Sequence, residues 1–278
     1  MILVTGANGN VGREVVKELQ RLHCEFKLST HRKNTDHIYL DFEDPSSIRP
    51  ALQGIKKLFL IRPPHLADKK YFEPVIEAAK EVGIEQIVFL SLLGAEKNKI
   101  VPHAKIEDLI IQSRIPYTFL RPSFFMQNLL TQHGDELLNE QIIFVPAGQG
   151  KTSFIDVRDI GVVAAKALTE SGHRFKAYSL TGKEALSYYD VARLLTKHLQ
   201  KEIRYTNPSI LAFWRKMRKK GLKRDFIIVM IGIYTTAKLG LAKTVTNELK
   251  ELLGREPITM EEFIKDNLEA FMIGFYSR

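Results

Sequence analysis

Cysteine is almost missing from this chain. Cys24 stands alone among 278 residues, which excludes a disulfide framework and any zinc cluster built from cysteine. Long apolar runs are missing as well. The longest, Phe226 to Tyr234, covers nine residues, far short of the ~20 that span a bilayer. The opening run MILVTG reads as a strand, with no basic segment ahead of a long apolar stretch, so no secretory leader is expected. A reducing, cytoplasmic setting follows from these absences, with no metal centre and no membrane partner expected.

Acidic residues are fewer than basic ones, 32 against 41, for a formal charge of +9. The excess is local. Seven basic residues fall between Arg215 and Arg224, with no acid until Asp225. Interleaved aromatics, which a nucleic-acid surface would use, are lacking there. The stretch reads as a solvated helix end and turn, and nucleic acid is not an expected partner.

What remains is the composition of an ordinary globular protein, 45% hydrophobic and 26% charged, long enough to bury a sizeable core. Short apolar runs suited to strands occur at Ile2–Thr5, Glu25–Thr30, Ile38–Asp41, Lys57–Ile61, Gln86–Leu90 and Tyr117–Leu120. Between them apolar residues recur at helical spacing: Val11, Val15, Val16, Leu19 and Leu22, then Ile76, Ala79 and Val82, then Ile106, Leu109 and Ile110. Strands and helices alternating in this way predict βαβ units. From Leu186 onward helical patterns dominate, at Tyr188–Leu199, Pro208–Lys219, Asp225–Leu239, Val245–Leu253 and Met260–Phe271, with one strand at Ile203–Tyr205. The expected fold is α/β, a Rossmann-type doubly wound parallel sheet with a small, mostly helical C-terminal substrate lobe. Residues 1–122 and 150–182 would form the dinucleotide-binding part, and 123–149 and 183–278 the lobe. No repeat or low-complexity linker separates them.

The segment TGANGNVG follows the first strand at once and opens the first helix, spacing Gly6, Gly9 and Gly12 as G-x-x-G-x-x-G. A pyrophosphate needs a tight turn, a bare backbone and a close helix–strand contact, all of which glycine permits. The new helix adds unpaired N–H groups and the positive end of its dipole. An NAD site usually carries an acid near the end of the second strand. Here EFKLST runs into His31, Arg32 and Lys33 instead. Arg32 and Lys33 suit a 2′-phosphate, which favours NADP(H) over NAD(H), unless both are merely solvated. Asp41 is placed either to accept from an adenine amino group or to help start the helix after Pro45.

TGANGNVG, LDFEDPSSIRPALQGIKKLFL, GIEQIVFLSLLGA, HAKIEDLIIQSRIPYTFLRPSFFMQNLL and SFIDVRDIGVVAAKAL, taken in order, resemble the NmrA-like branch of the atypical short-chain dehydrogenases. Within it they are most similar to quinone- and triphenylmethane-dye-reductase-like proteins. The resemblance covers nearly the whole chain, GREPITMEEFIKDN included. It implies a seven-stranded Rossmann sheet, an NAD(P) cofactor and a C-terminal lobe over the nicotinamide. It places dinucleotide contacts at Gly6, Asn8, Gly9, Asn10, Val11, Gly12, Arg32, Lys33, Asp41, Phe42, Ile61, Arg62, Ser91, His103 and Ser123.

One departure bears on the chemistry. Extended short-chain dehydrogenases, sugar-nucleotide epimerases among them, use Y-x-x-x-K with a Glu four residues after the Lys. Anchored on Glu107, that pattern puts His103 at the lysine and Lys99 at the tyrosine. Without tyrosine the proton relay of alcohol–ketone chemistry is lost, which argues against an epimerase. Histidine at this position is also what the quinone- and dye-reductase-like members show. Pro102 suits a first helical position, so His103 falls in a helix's first turn, where the dipole keeps imidazole neutral. A contact to the nicotinamide ribose is the favoured role, a helix cap the other. Ser91 matches the family's Ser/Thr beside the nicotinamide, or closes a turn. His103 and Ser91 are thus the catalytic candidates. Asp156 and Asp159 read as a helix N-cap with an acid in its first turn, outside the chemistry.

RPSFFMQN leaves the sixth strand at its carboxyl end, where open parallel sheets bind ligands. Phe124, Phe125 and Met126 would wall a flat aromatic substrate, and Asn128 would orient a carbonyl. Core packing is the competing role for one phenylalanine. The helix at Phe226–Tyr234 would close the other side. An NADP(H)-dependent reductase of small conjugated acceptors is the expected function. A dinucleotide-sensing regulator read by a partner protein, with no turnover, is the alternative.

Overall fold

Leu3, Val4, Leu58, Phe59, Ile87, Val88 and Phe89 are all fully buried, so these strands are covered on both faces, as parallel strands are. The computed structural model describes Met1–Ile273; residues 274–278, the end of the expected lobe, lie outside the described residues. Along the chain run β1 (Ile2–Val4), α1 (Asn10–Arg21), β2 (Phe26–Thr30), β3 (Ile38–Tyr39), α2 (Pro45–Leu52), β4 (Lys57–Ile61) and α3 (Glu73–Glu81). Next come β5 (Gln86–Leu90), α4 (Pro102–Ser113), β6 (Tyr117–Pro122), α5 (Asn128–Thr131), α6 (Gly134–Asn139), β7 (Ile142–Ile143) and β8 (Lys151–Thr152). They are followed by α7 (Val157–Thr169), β9 (Lys176–Leu180), β10 (Leu186–Ser187), α8 (Tyr188–Leu199) and β11 (Arg204–Tyr205). The chain continues through α9 (Ile210–Lys219), α10 (Arg224–Lys238), α11 (Glu248–Leu253), α12 (Met260–Asp266) and α13 (Leu268–Ile273).

Two units emerge. The first holds Met1–Pro122, Val157–Leu180 and Glu251–Gly254; the second holds Ser123–Asp156, Thr181–Lys250 and the segment beginning at Arg255. Seven strands form the sheet of the first, in the order β3-β2-β1-β4-β5-β6-β9, every pair parallel. This is the doubly wound order, with its reversal between β1 and β4. α1 and α7 pack closely in this unit because Gly161 has no side chain: a Cβ there would lie 2.7 Å from that of Glu14.

The second unit is mostly helical, and its core gathers Met126, Tyr188, Leu195, Phe213, Tyr234 and Phe263. Residues 150–156 belong to it, rather than to the sheet unit as expected. Ser153 N donates to Ala242 O at 3.0 Å, Thr152 pairs with Leu186, and Ile155 bridges to Phe125. Thr181 and Gly182 also fall here, while Glu251–Gly254 join the first unit, where Lys166 Nζ donates to Leu252 O at 2.7 Å.

One expected element is divided and one strand is new. The helix expected over 260–271 is broken at Asn267, where φ is −120° and the side chain donates to Phe263 O at 2.8 Å. An asparagine amide offers the backbone an alternative to continuing the helix. β9 was not among the expected strands, because Lys176 and Ala177 at its start are exposed and hide the periodicity of a buried strand.

Candidate functional site

Thr5 joins β1 to β4 where the strand order reverses. Its Oγ1 donates to Phe59 O at 3.0 Å and accepts from Ile61 N at 2.8 Å. Sequence reasoning passed over Thr5, although a fully buried polar residue at a strand end needs such partners. The chain then turns sharply. Gly6 has φ +63°, and a Cβ there would meet Ile61 Cδ1 at 3.2 Å. Gly12 has still less room: its Cβ would lie 2.1 Å from Gly6 O. Gly9 is the N-cap of α1, with no side-chain cap and no acid in the first turn. The first-turn N–H groups and the positive dipole end are therefore left for an anion. These features fit a dinucleotide pyrophosphate, and Asn8, Asn10 and Val11 lie on the same loop and helix start.

Beyond β2, Arg32 and Lys33 are both exposed, and they differ. Lys33 Nζ sits 5.0 Å over the Tyr39 ring, and Tyr39 in turn donates to Asp44 at 3.2 Å. Among the described residues the Arg32 side chain shows no such engagement; its backbone N–H is held by Thr30 Oγ1 at 3.1 Å. Asp41 accepts from Glu43 N at 2.9 Å, and the cap of α2 is Asp44, which accepts from Ser46 N. Of its two expected roles, then, starting the helix falls to Asp44. Phe42 is buried against Phe72, with ring centroids 5.2 Å apart.

Arg62, just past β4, is enclosed by carbonyls: its Nη1 donates to Pro63, Pro64 and Leu66 O at 3.0–3.1 Å. Its Nε donates to His103 Nε2 at 3.4 Å. Burial lowers the guanidinium pKa, and a cation so placed calls for an anion. His103 lies in the first turn of α4, as the sequence predicted. Burial, reinforced by the Arg62 charge, pushes its pKa down to about 3. With Nε2 accepting, the imidazole is neutral and carries its proton on Nδ1, which is buried with no partner among the described residues. A buried donor without an acceptor is costly.

Ser91 is engaged within the chain. Its Oγ donates to Glu107 Oε1 at 2.5 Å. Arg121 grips the same carboxylate twice, Nε to Oε1 at 3.0 Å and Nη2 to Oε2 at 2.7 Å, and also reaches Glu96 at 3.3 Å. Glu107 raises the Arg121 pKa in return. This buried network ties α4 to the ends of β5 and β6. Glu107 follows His103 by one helical turn on the same face, so the network also sets the position of His103. The signal for it in the sequence was a single carboxylate among Ala104, Ile106 and Ile110.

In the second unit Ser123 Oγ donates to Ser153 O. Phe124 and Phe125 are half-buried, Phe124 edge-on to Phe154 with centroids 6.5 Å apart. Met126 corrects the expected substrate wall. It is 2% exposed and belongs to the core, since the bridge from Phe125 to Ile155 turns the next side chain inward. Asn128 opens α5 and accepts from Gln132 at 3.2 Å. Asp156 stands just before α7, fully buried, and accepts from Gln127 at 2.8 Å; Asp159 lies buried in the first turn of α7. No cluster of three potential metal ligands exists among the described residues.

Residues 1–264 match the NmrA-like family model. The chain belongs to the NmrA-like family. It is 30% identical to the NAD(P)H azoreductase of Xenophilus azovorans over 284 residues, covering 98% of this chain and 99% of the relative. The NADPH complex of the Escherichia coli NADPH-dependent quinone oxidoreductase superposes with a TM-score of 0.85 at 26% identity, covering 96% of this chain and 99% of that one. The Citrobacter sp. triphenylmethane reductase shares the fold, with a TM-score of 0.81 at 23% identity and coverages of 96% and 99%.

Proposed function

We propose that this NmrA-like chain is an NAD(P)H-dependent reductase that prefers NADP(H) and passes hydride to a small conjugated acceptor such as a quinone, azo compound or dye. The observation that carries the reading is a neutral, buried His103 where a tyrosine–lysine pair would stand in alcohol–ketone chemistry. Bound NADPH would supply the hydride. Conjugated acceptors need little acid–base help, because delocalisation stabilises the reduced product and solvent can deliver protons. The chain's residues then have three tasks: binding, orientation and exclusion of water. Gly6, Gly9 and Gly12 would admit the pyrophosphate, and Arg32, with Lys33 beside it, would meet the 2′-phosphate. His103, held by Arg62 on one side and by the Glu107 network beneath, would present Nδ1–H to a ribose or carbonyl oxygen. The names and NADPH complex of the relatives support the cofactor and the acceptor class.

The test is NADPH consumption by the purified chain against a panel of quinones, azo compounds and triphenylmethane dyes, with NADH in parallel. Turnover with at least one acceptor, faster at low NADPH than at equal NADH, is expected. Tight NADPH binding with no turnover on any acceptor would replace this reading by a dinucleotide-sensing regulator.

A further inference from the structure

A helix apolar on every side is ordinarily buried on every side, and α10 is not. Ile227, Met230, Tyr234 and Ala237 face the core of the second unit. Phe226, Val229 and Ile233 border that face on one side, 42%, 56% and 40% exposed, and Ile228 lies farther round at 58%; Leu239 and Leu241 follow the helix at 68% each. Large apolar side chains left in water in such number mark a place where something binds.

The charges around it indicate what. Of the seven basic residues from Arg215 to Arg224, Lys216 pairs with Glu140 at 2.6 Å and Lys220 with Glu136 at 2.8 Å. The other five, Arg215, Arg218, Lys219, Lys223 and Arg224, are exposed and make no ion pair among the described residues. They lead directly into Phe226, with Asp225 the one acid between, and Lys238 and Lys243 flank the far end of the apolar run, both exposed.

We propose that the exposed face of α10 docks on an anionic lipid bilayer, with Phe226, Val229 and Ile233 entering the interface and the basic turn ahead of it held by lipid headgroups. An apolar face bordered by lysine and arginine is the pattern of a helix lying in the interfacial plane. A second copy of the chain fits less well, since two such faces would bring ten unpaired cations together. The lack of a spanning stretch does not exclude this mode, because a helix that lies on the surface does not need one. The inference is independent of whether the chain is a reductase.

Co-sedimentation of the full chain with vesicles tests it. Binding is expected to phosphatidylglycerol–phosphatidylcholine vesicles and not to pure phosphatidylcholine, weakening steeply as salt is raised. Two variants follow, Lys219→Glu/Lys223→Glu/Arg224→Glu and Phe226→Ser/Val229→Ser/Ile233→Ser, each checked for an unchanged melting curve. All six positions are exposed, and each variant should lose at least tenfold in partitioning. The proposal is overturned if the native chain ignores anionic vesicles at low salt, or if the serine variant binds like the native chain. A native chain that instead self-associates, and becomes monomeric in the serine variant, would assign the face to a second copy.

Discussion

Arg62 Nε stands 3.4 Å from His103 Nε2, and because a guanidinium can only donate, the imidazole must accept there. The pair fixes a tautomer as well as a position. Two residues separated by the whole of α3 and β5 thereby set which ring nitrogen of His103 carries the proton.

With its pKa pushed down to about 3, His103 stays neutral through the physiological range and holds no imidazolium proton to give. The rate of quinone reduction should therefore show no imidazole-like ionisation between pH 6 and 9. His103→Ala should lower the rate by about tenfold or less through misplacement, whereas loss of a general acid costs ~10²–10⁴-fold. A pH–rate profile of both proteins decides: an ionisation near neutrality that disappears in the variant, together with a large rate loss, would overturn the positioning role.

Arg32 is the freer of the two cations beyond β2, since Lys33 already lies over Tyr39. Arg32→Ala should cost more NADPH affinity than Lys33→Ala, on the order of 1–3 kcal/mol for a charge-assisted phosphate contact. NADH affinity should hardly change in either. Calorimetric titration of both cofactors checks this, and equal native affinities for NADPH and NADH would refute the phosphate contact.

The glycines of the loop should separate folding from binding. Gly12→Ala puts a methyl 2.1 Å from Gly6 O, so the loop must move, and both the melting temperature and cofactor affinity should drop. At Gly9 a Cβ would meet only Gly6 O, at 3.3 Å. Gly9→Val should melt near the native temperature yet lose dinucleotide binding, because its branches would occupy the pyrophosphate's place. Unchanged affinity in a folded Gly9→Val protein would remove the site from this loop.

Acid should weaken the fold through its buried histidines. Burial pushes His133, whose Nε2 meets Tyr234 Oη at 3.0 Å, down to about 4, and His103 down to about 3. In the unfolded chain both titrate near 6.5. Between about pH 6.5 and 4 the unfolded state thus binds more protons, and stability falls as pH falls, by up to about 1.4 kcal/mol per pH unit for each histidine. Above pH 7 this contribution is complete and flat. Urea midpoints at pH 7.5 and pH 5 should differ accordingly, and His133→Gln should narrow the gap; identical midpoints would contradict neutral burial.

Periodicity and glycine spacing were enough to place six of the seven strands of the sheet, the glycine turn and the first turn of α4, because these depend on residues close in sequence. Residues 150–156 were assigned to the wrong unit, since their partners, Ala242, Leu186 and Phe125, lie up to 89 positions away. The same limit hid the roles of Ser91 and Met126. A serine at a strand end reads alike whether its proton goes to a ligand or to Glu107, and a methionine after two phenylalanines reads alike as wall or as core.

The sequence by itself determined that this chain folds as a parallel α/β sheet around a glycine turn and lacks the tyrosine of proton-relaying relatives, for strand alternation and residue identity are local facts. Tertiary structure alone decided that His103 is neutral with its proton on a buried Nδ1, that Glu107 joins Ser91 to Arg121, and that α10 keeps apolar side chains uncovered. Each depends on which distant groups are brought within a few ångströms and on how much water they exclude, and neither is written in the order of the residues.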